Sequence, residues 1–168
     1  MKIAICGAHG VGKTTLASIL GSTINLTVLP DVVIDAHNMG FAINEWTSMD
    51  AQLWMAAQQL AYEKNNSRFI ADKCIFDYYV YAHALDMDTS LQETIKSVAL
   101  RTHNYDHIFY IKPEFPLPQD GELRSTNQSF QDMVDKHYQF FLQKESIDFS
   151  FITGSVDQRV EQVLSIVR

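Results

Sequence analysis

Apolar residues fall along this chain in two alternating patterns. Ile3 to Cys6, Leu26 to Leu29, Arg68 to Ala71, His107 to Ile111 and Phe149 to Ile152 are short runs suited to buried strands. Between them, apolar positions return every three or four residues. Leu16, Ile19 and Leu20 mark a helix over 14–24, and Leu53, Met55, Ala56, Leu60 and Ala61 mark one from Met49 to about Asn65. Leu91, Ile95, Val98 and Ala99 mark one over 90–101. Further helical stretches run from Asp72 to about Leu85, from Phe130 to about Lys144, and from Gly154-Ser155 through Val163, Leu164 and Val167.

Punctuation supports the same division. Pro30 stops the second strand, Asp31 to Met39 predicts a short helix before Gly40, and Ser48, or Thr47 before it, is placed to cap the helix that follows. Lys112 to Gln128 carries three of the chain's four prolines and reads as loop. Strands alternating with helices imply an α/β fold with a parallel sheet covered on both faces, and such sheets bind ligands beyond the carboxyl ends of their strands.

Composition narrows the picture without redirecting it. The 168 residues suit one domain, 46% hydrophobic and 20% charged residues describe a globular chain, and a net charge of -7 disfavours wrapping long nucleic acids through phosphate contacts. Cys6 and Cys74 are too few for a disulfide framework and read as buried thiols of a reducing compartment. No stretch has the length of a membrane span, and the first apolar run leads directly into glycines, so the expected location is cytoplasmic.

The chemistry starts immediately after the first strand. Gly7-Ala8-His9-Gly10-Val11-Gly12-Lys13-Thr14-Thr15 fits G-x-x-x-x-G-K-[ST] in the required setting, with a strand before it and a helix after it. Glycines allow successive N–H groups to face one concavity, where they bind phosphate oxygens, and the positive end of the next helix adds to the attraction. Lys13 is placed to reach terminal phosphates, and the Thr14 hydroxyl to ligate Mg²⁺.

Other strand ends supply the remaining candidates. Asp72 follows Phe-Ile-Ala, where a carboxylate meets the metal in P-loop enzymes; the alternative role is capping the next helix. Lys73 beside it is a candidate to hold an acceptor or the transferred phosphate. Asp31, just past Pro30, is placed to accept a proton from an attacking hydroxyl, and Asp35, one helical turn on, competes for that role. Arg124 lies in a long loop of the kind that delivers a lid cation to a transferring phosphoryl group. Gln52, Gln59 and Glu63 share a helix face that could read a nucleobase edge, with Phe41, Trp46 or Trp54 stacking on it. The six histidines show no metal-ligand spacing.

From these residues the chain resembles the P-loop nucleoside and nucleotide kinases, in particular the thymidylate-kinase-like group and small single-domain relatives such as nicotinamide riboside kinases. The resemblance runs nearly end to end. Residues 7–15 are similar to the family's phosphate loop, and Leu29-Pro30-Asp31 to its acidic position after the second strand. Asp72-Lys73 with Asp77 and Tyr81 resembles its Asp-Arg motif and the helix behind it. Residues 120–125 resemble a lid of the form Asp-Gly-x-Arg-Ser, one residue longer here, within a lid segment of about 113–128. Thr153-Gly154-Ser155 with Arg159-Val160 is similar to the adenine-side turn.

The resemblance implies a three-layer P-loop fold with a five-stranded parallel sheet, ATP as donor, Mg²⁺ as metal, and a nucleoside- or nucleotide-type acceptor. Lysine in place of arginine at 73 and a single lid arginine shift the expectation from a monophosphate acceptor toward a hydroxyl. The resemblance extends to virus-type kinases of the hydroxymethyl group of 5-hydroxymethyluracil in DNA, so a modified base is an alternative acceptor. A nucleotide-hydrolysing switch without an acceptor is the remaining alternative. Homodimers are common among such relatives.

Overall fold

A computed structural model describes residues 1–117, 119 and 123–167. Five strands form one sheet: β1 (Lys2–Cys6), β2 (Thr27–Val28), β3 (Phe69–Asp72), β4 (His107–Ile111) and β5 (Ser150–Ile152). Their order is β2-β3-β1-β4-β5 and every pairing is parallel. β1 is central, and Ile3, Ala4, Ile5 and Cys6 are all fully buried, as an apolar run covered on both faces must be.

Seven α-helices are present among the described residues: α1 (Lys13–Ile24), α2 (Val32–Asn38), α3 (Met49–Asn65), α4 (Ile75–Ala84), α5 (Thr89–Thr102), α6 (Gln128–Lys144) and α7 (Val156–Val167). A 3-10 turn, Asn44–Trp46, precedes α3. The helices pack in two groups: α1 meets α7 and lies against β2 and β3, while α4 meets α3, α5 and α6. This is the expected three-layer α/β arrangement. α6 shows why one stripe suffices, since Phe130, Val134, Tyr138, Phe141 and Leu142 repeat at helical spacing and are all buried.

α3 and β4 occupy the spans their patterns predict. Elsewhere the boundaries move for identifiable reasons. β2 shrinks to two residues because it is an edge strand with β3 as its one neighbour. Arg68 lies outside β3, while Asp72 belongs to it, paired in register with Ile5. Asp72 therefore does not cap the next helix. Lys73 has a left-handed backbone (φ +95°), and α4 starts only at Ile75, after Cys74 and Asp77 form a reciprocal capping box. Ser48 occupies the N-cap position of α3 without a side-chain capping bond.

Both cysteines are buried and free, and no helix among the described residues is long and apolar enough to cross a membrane. Of the lid motif at 120–125, Asp120, Gly121 and Glu122 lie outside the described residues; Leu123, Arg124 and Ser125 lie within them.

Candidate active site

The loop between β1 and α1 owes its shape to two glycines and three side chains. Gly7 has φ +137°, and a Cβ there would stand 2.3 Å from the Ile111 carbonyl oxygen, so only glycine lets β1 pass so close to the end of β4. Gly12 has φ +91° at the N-cap of α1. Lys13 Nζ donates to the carbonyls of Gly7 (2.8 Å) and Ala8 (2.7 Å). Gln131 Nε2 donates to the His9 carbonyl at 2.6 Å, and Arg159 Nη1 to the Val11 carbonyl at 2.6 Å.

Four loop carbonyls are thus taken, those of Gly7 and Ala8 by the loop's own lysine and those of His9 and Val11 by α6 and α7. No group among the described residues accepts a hydrogen bond from the amides of Gly10, Val11 and Gly12. A run of such donors at a helix N-terminus is a cradle for an anion.

A cavity of about 180 Å³ opens from this cradle. From the loop it is lined by His9, Gly10, Gly12, Lys13, Thr14 and Thr15, while Gly7, Ala8 and Val11 lie behind that surface. Asp31, Asp72 and Lys73, Gln52 and Met55 of α3, and Leu123 and Arg124 also line it. Arg124 Nη2 lies 3.4 Å from the Thr14 hydroxyl. The chain ends of β1, β2 and β3 and the lid segment therefore converge, as ligand sites in parallel sheets do.

One ion pair stands inside the cavity. Lys73 Nζ donates to both oxygens of Asp31 at 2.9 Å, and Asp31 also caps α2 by accepting from the Val33 amide at 3.0 Å. Burial raises the Asp31 pKa, but the Lys73 ammonium and the Val33 amide outweigh it and hold the carboxyl below its ordinary value. Lys13 is buried, and desolvation lowers its pKa against the opposing pull of Asp77 and Asp72. Asp77 is pushed up by burial and pulled down by Lys13; one oxygen accepts from the Cys74 amide at 2.8 Å. Asp72 accepts no side-chain hydrogen bond from a described residue.

His9 closes the inner wall. Its Nδ1 lies 3.1 Å from the Tyr81 hydroxyl and its ring stacks on Phe130 at 5.3 Å. Burial, with Lys13 and Lys73 nearby, lowers its pKa to about 4 against a smaller upward pull from Glu45, so the ring is neutral near pH 7.

The two acidic candidates after β2 separate. Asp31 faces the cavity, whereas Asp35 accepts from the Tyr62 hydroxyl at 3.0 Å and does not line it. The proposed reading face on α3 is also divided. Gln52 lines the cavity, with its Nε2 donating to the Tyr78 carbonyl at 2.6 Å. Gln59 and Glu63 turn inward, Gln59 toward Glu63 and the Lys73 carbonyl, Glu63 toward the Tyr105 hydroxyl. Phe41 packs on Trp54 at 5.8 Å and Trp46 is exposed; none of the three lines the cavity. The aromatic rings that do are Tyr78 and Tyr81.

Arg159 and Gln131 are the residues that sequence reasoning missed as loop supports. Arg159 is 4% exposed, bonds Glu114 at 2.7 Å as well as Val11, and lies against the Phe115 ring at 5.7 Å. Glu114 also accepts from the Gly154 amide at 2.9 Å, so the turn after β5 and the phosphate loop share one brace. No local motif announces a contact between residues 11 and 159.

A strand, an anion cradle at a helix N-terminus and carboxylates at neighbouring strand ends define a P-loop protein of the α/β class. The chain belongs to the family described as an AAA domain, whose model matches residues 2–159. No curated protein matches it in sequence.

Solved structures match it in fold. A deoxyadenosine kinase from M. mycoides with dCMP and dCDP is 16% identical at a TM-score of 0.74, covering 99% of this chain and 98% of that one. A thymidylate kinase from Ehrlichia chaffeensis is 15% identical at 0.71, covering 100% and 98%. The NadR protein in complex with NAD and AMP-PNP is 14% identical at 0.77; the match covers 98% of this chain and 48% of NadR. The resemblance to thymidylate-kinase-like P-loop kinases thus holds at the level of the fold.

Proposed function

We propose that this protein transfers the γ-phosphoryl group of ATP to a hydroxyl of a nucleoside-type acceptor. The observation that carries the reading is the set of unpaired amides from Gly10 to Gly12, opening onto a cavity that the Asp31 carboxylate also lines. The cradle and Lys13 hold the polyphosphate. Two of Lys13's three ammonium hydrogens engage the loop, which leaves one for a phosphate oxygen. Arg124 adds positive charge where the transferred group spreads negative charge over its oxygens.

Asp31 orients the acceptor hydroxyl and receives its proton. Its lowered pKa makes it a weak base but keeps it ionised, and phosphoryl transfer through a loose transition state depends more on positioning than on early deprotonation. Lys73 is already committed to Asp31, which favours a hydroxyl over a second phosphate as acceptor.

Mg²⁺ fits the donor set. Thr14 and Asp72 both face the cavity, Asp72 carries no competing side-chain hydrogen bond among the described residues, and Mg²⁺ takes few protein oxygens beside phosphate and water. When bound, it neutralises phosphate charge and fixes the donor. Solved structures of this fold are described with dCMP, dCTP or dATP for the deoxyadenosine kinase and with NAD for the NadR protein, which supports a nucleoside-type acceptor.

The test is incubation with labelled ATP and Mg²⁺ against nucleosides, nucleoside monophosphates, nicotinamide riboside and DNA containing 5-hydroxymethyluracil. Label on a nucleoside hydroxyl is expected. Label on DNA alone would move the acceptor to a modified base. Label found as free phosphate whatever is offered would replace the kinase with a hydrolytic switch.

A further inference from the structure

The lid arginine does not stand alone. Ser125, the next residue, is 5% exposed although it belongs to a loop. Its hydroxyl donates to Glu45 Oε1 at 2.6 Å and accepts from the Asn127 amide at 3.1 Å. Asn127 in turn caps α6 by accepting from the Phe130 amide at 3.2 Å, and α6 reaches the phosphate loop through Gln131 and His9. Glu45 lies in the 3-10 turn before α3, between Asn44 and Thr47, both of which line the cavity. A buried hydroxyl on a carboxylate is a charge-assisted bond, stronger and more directional than a neutral one.

We infer that Glu45 is a positioning residue: through Ser125 it latches the lid to the acceptor side of the cavity and sets Arg124 over Thr14. The inference rests on the proposed phosphoryl transfer and deepens it, because the wall that meets the acceptor then controls the cation that meets the transferred group. A lid tied only at α6 leaves the Arg124 backbone free to swing. A shift of about 1 Å in a group that must meet the transition state costs up to about a hundredfold in rate. Glu45 touches neither donor nor acceptor; it acts through Ser125 and Arg124.

The test uses the full chain and the variants Glu45→Ala, Glu45→Gln, Ser125→Ala, Arg124→Ala and Glu45→Ala combined with Arg124→Ala. Glu45→Ala and Ser125→Ala are expected to lower kcat by roughly tenfold with little change in KM for ATP. Glu45→Gln, which keeps an oxygen for the serine, recovers part of the rate. In the Arg124→Ala background, Glu45→Ala changes nothing further, since its effect passes through the arginine. Equal losses from Glu45→Ala with and without Arg124 would overturn the inference.

Amide hydrogen exchange of the free protein reads the latch without any turnover. Glu45→Ala is expected to speed exchange at Asn127, while α3 stays protected. Unchanged exchange there would equally overturn the latch. Faster exchange in a protein that transfers no phosphoryl group from ATP would keep the latch and remove the proposed function instead.

Discussion

The two halves of the cavity are built differently. The half proposed to hold the donor is one contiguous stretch, residues 7–15, whose carbonyls are held by Lys13 from within and by Gln131 and Arg159 from other elements. The acceptor half is assembled from side chains 42 residues apart in the case of Asp31 and Lys73, and 80 apart in the case of Glu45 and Ser125. A backbone cradle binds any polyphosphate tail. An assembled wall of side chains can be altered one residue at a time, so under the proposed function it is the half that selects the acceptor.

That contrast predicts how each half fails. Lys13→Ala should remove the donor-side charge and lower kcat by roughly 10²–10³, with the fold retained by circular dichroism. Near-normal turnover would show that the loop's lysine is only structural. Asp31→Asn should lower kcat by about 10², the low end for a general base because positioning outweighs proton removal, while KM for ATP stays unchanged. A change confined to ATP binding would erase the distinction between the halves.

Arg159→Met frees the Val11 carbonyl without touching the acceptor wall. It should raise KM for ATP about tenfold, the worth of one charge-assisted hydrogen bond, and leave acceptor KM alone. Equal effects on both substrates would mean that the brace serves the whole cavity.

The smallest effect concerns pH. His9 titrates at about 4 when folded, below its ordinary 6.5, so the unfolded chain takes up the proton first as pH falls. This contribution to stability is complete above about pH 6.5 and is lost progressively down to about pH 4. Thermal melts of His9→Gln should lose less stability between pH 7 and pH 5 than the native chain. Parallel losses in the two would show that His9 does not titrate in this window.

Legibility followed locality. The phosphate loop could be read from residues because its function needs particular types at fixed short spacing, and glycine at 7 answers to a backbone contact that no side chain permits. α3 was equally readable, since seventeen residues carry a helical pattern with little interruption. The start of α4 was not, because the left-handed backbone at Lys73 belongs to the crossing from β3 and not to any propensity of lysine. Gln59 and Glu63 carried the same surface signature as Gln52, yet the packing of Tyr105 and Tyr78 against α3 drew them inward.

From its sequence alone, this chain declared an α/β architecture and a phosphate cradle after the first strand, because hydrophobic period and glycine placement are local properties. Only the folded molecule put Asp31 and not Asp35 on the cavity, tied Lys73 to the former, brought Arg159 against the loop and joined Ser125 to Glu45. Those choices depend on distances between segments remote in the chain, which sheet order and helix packing set and no short pattern encodes.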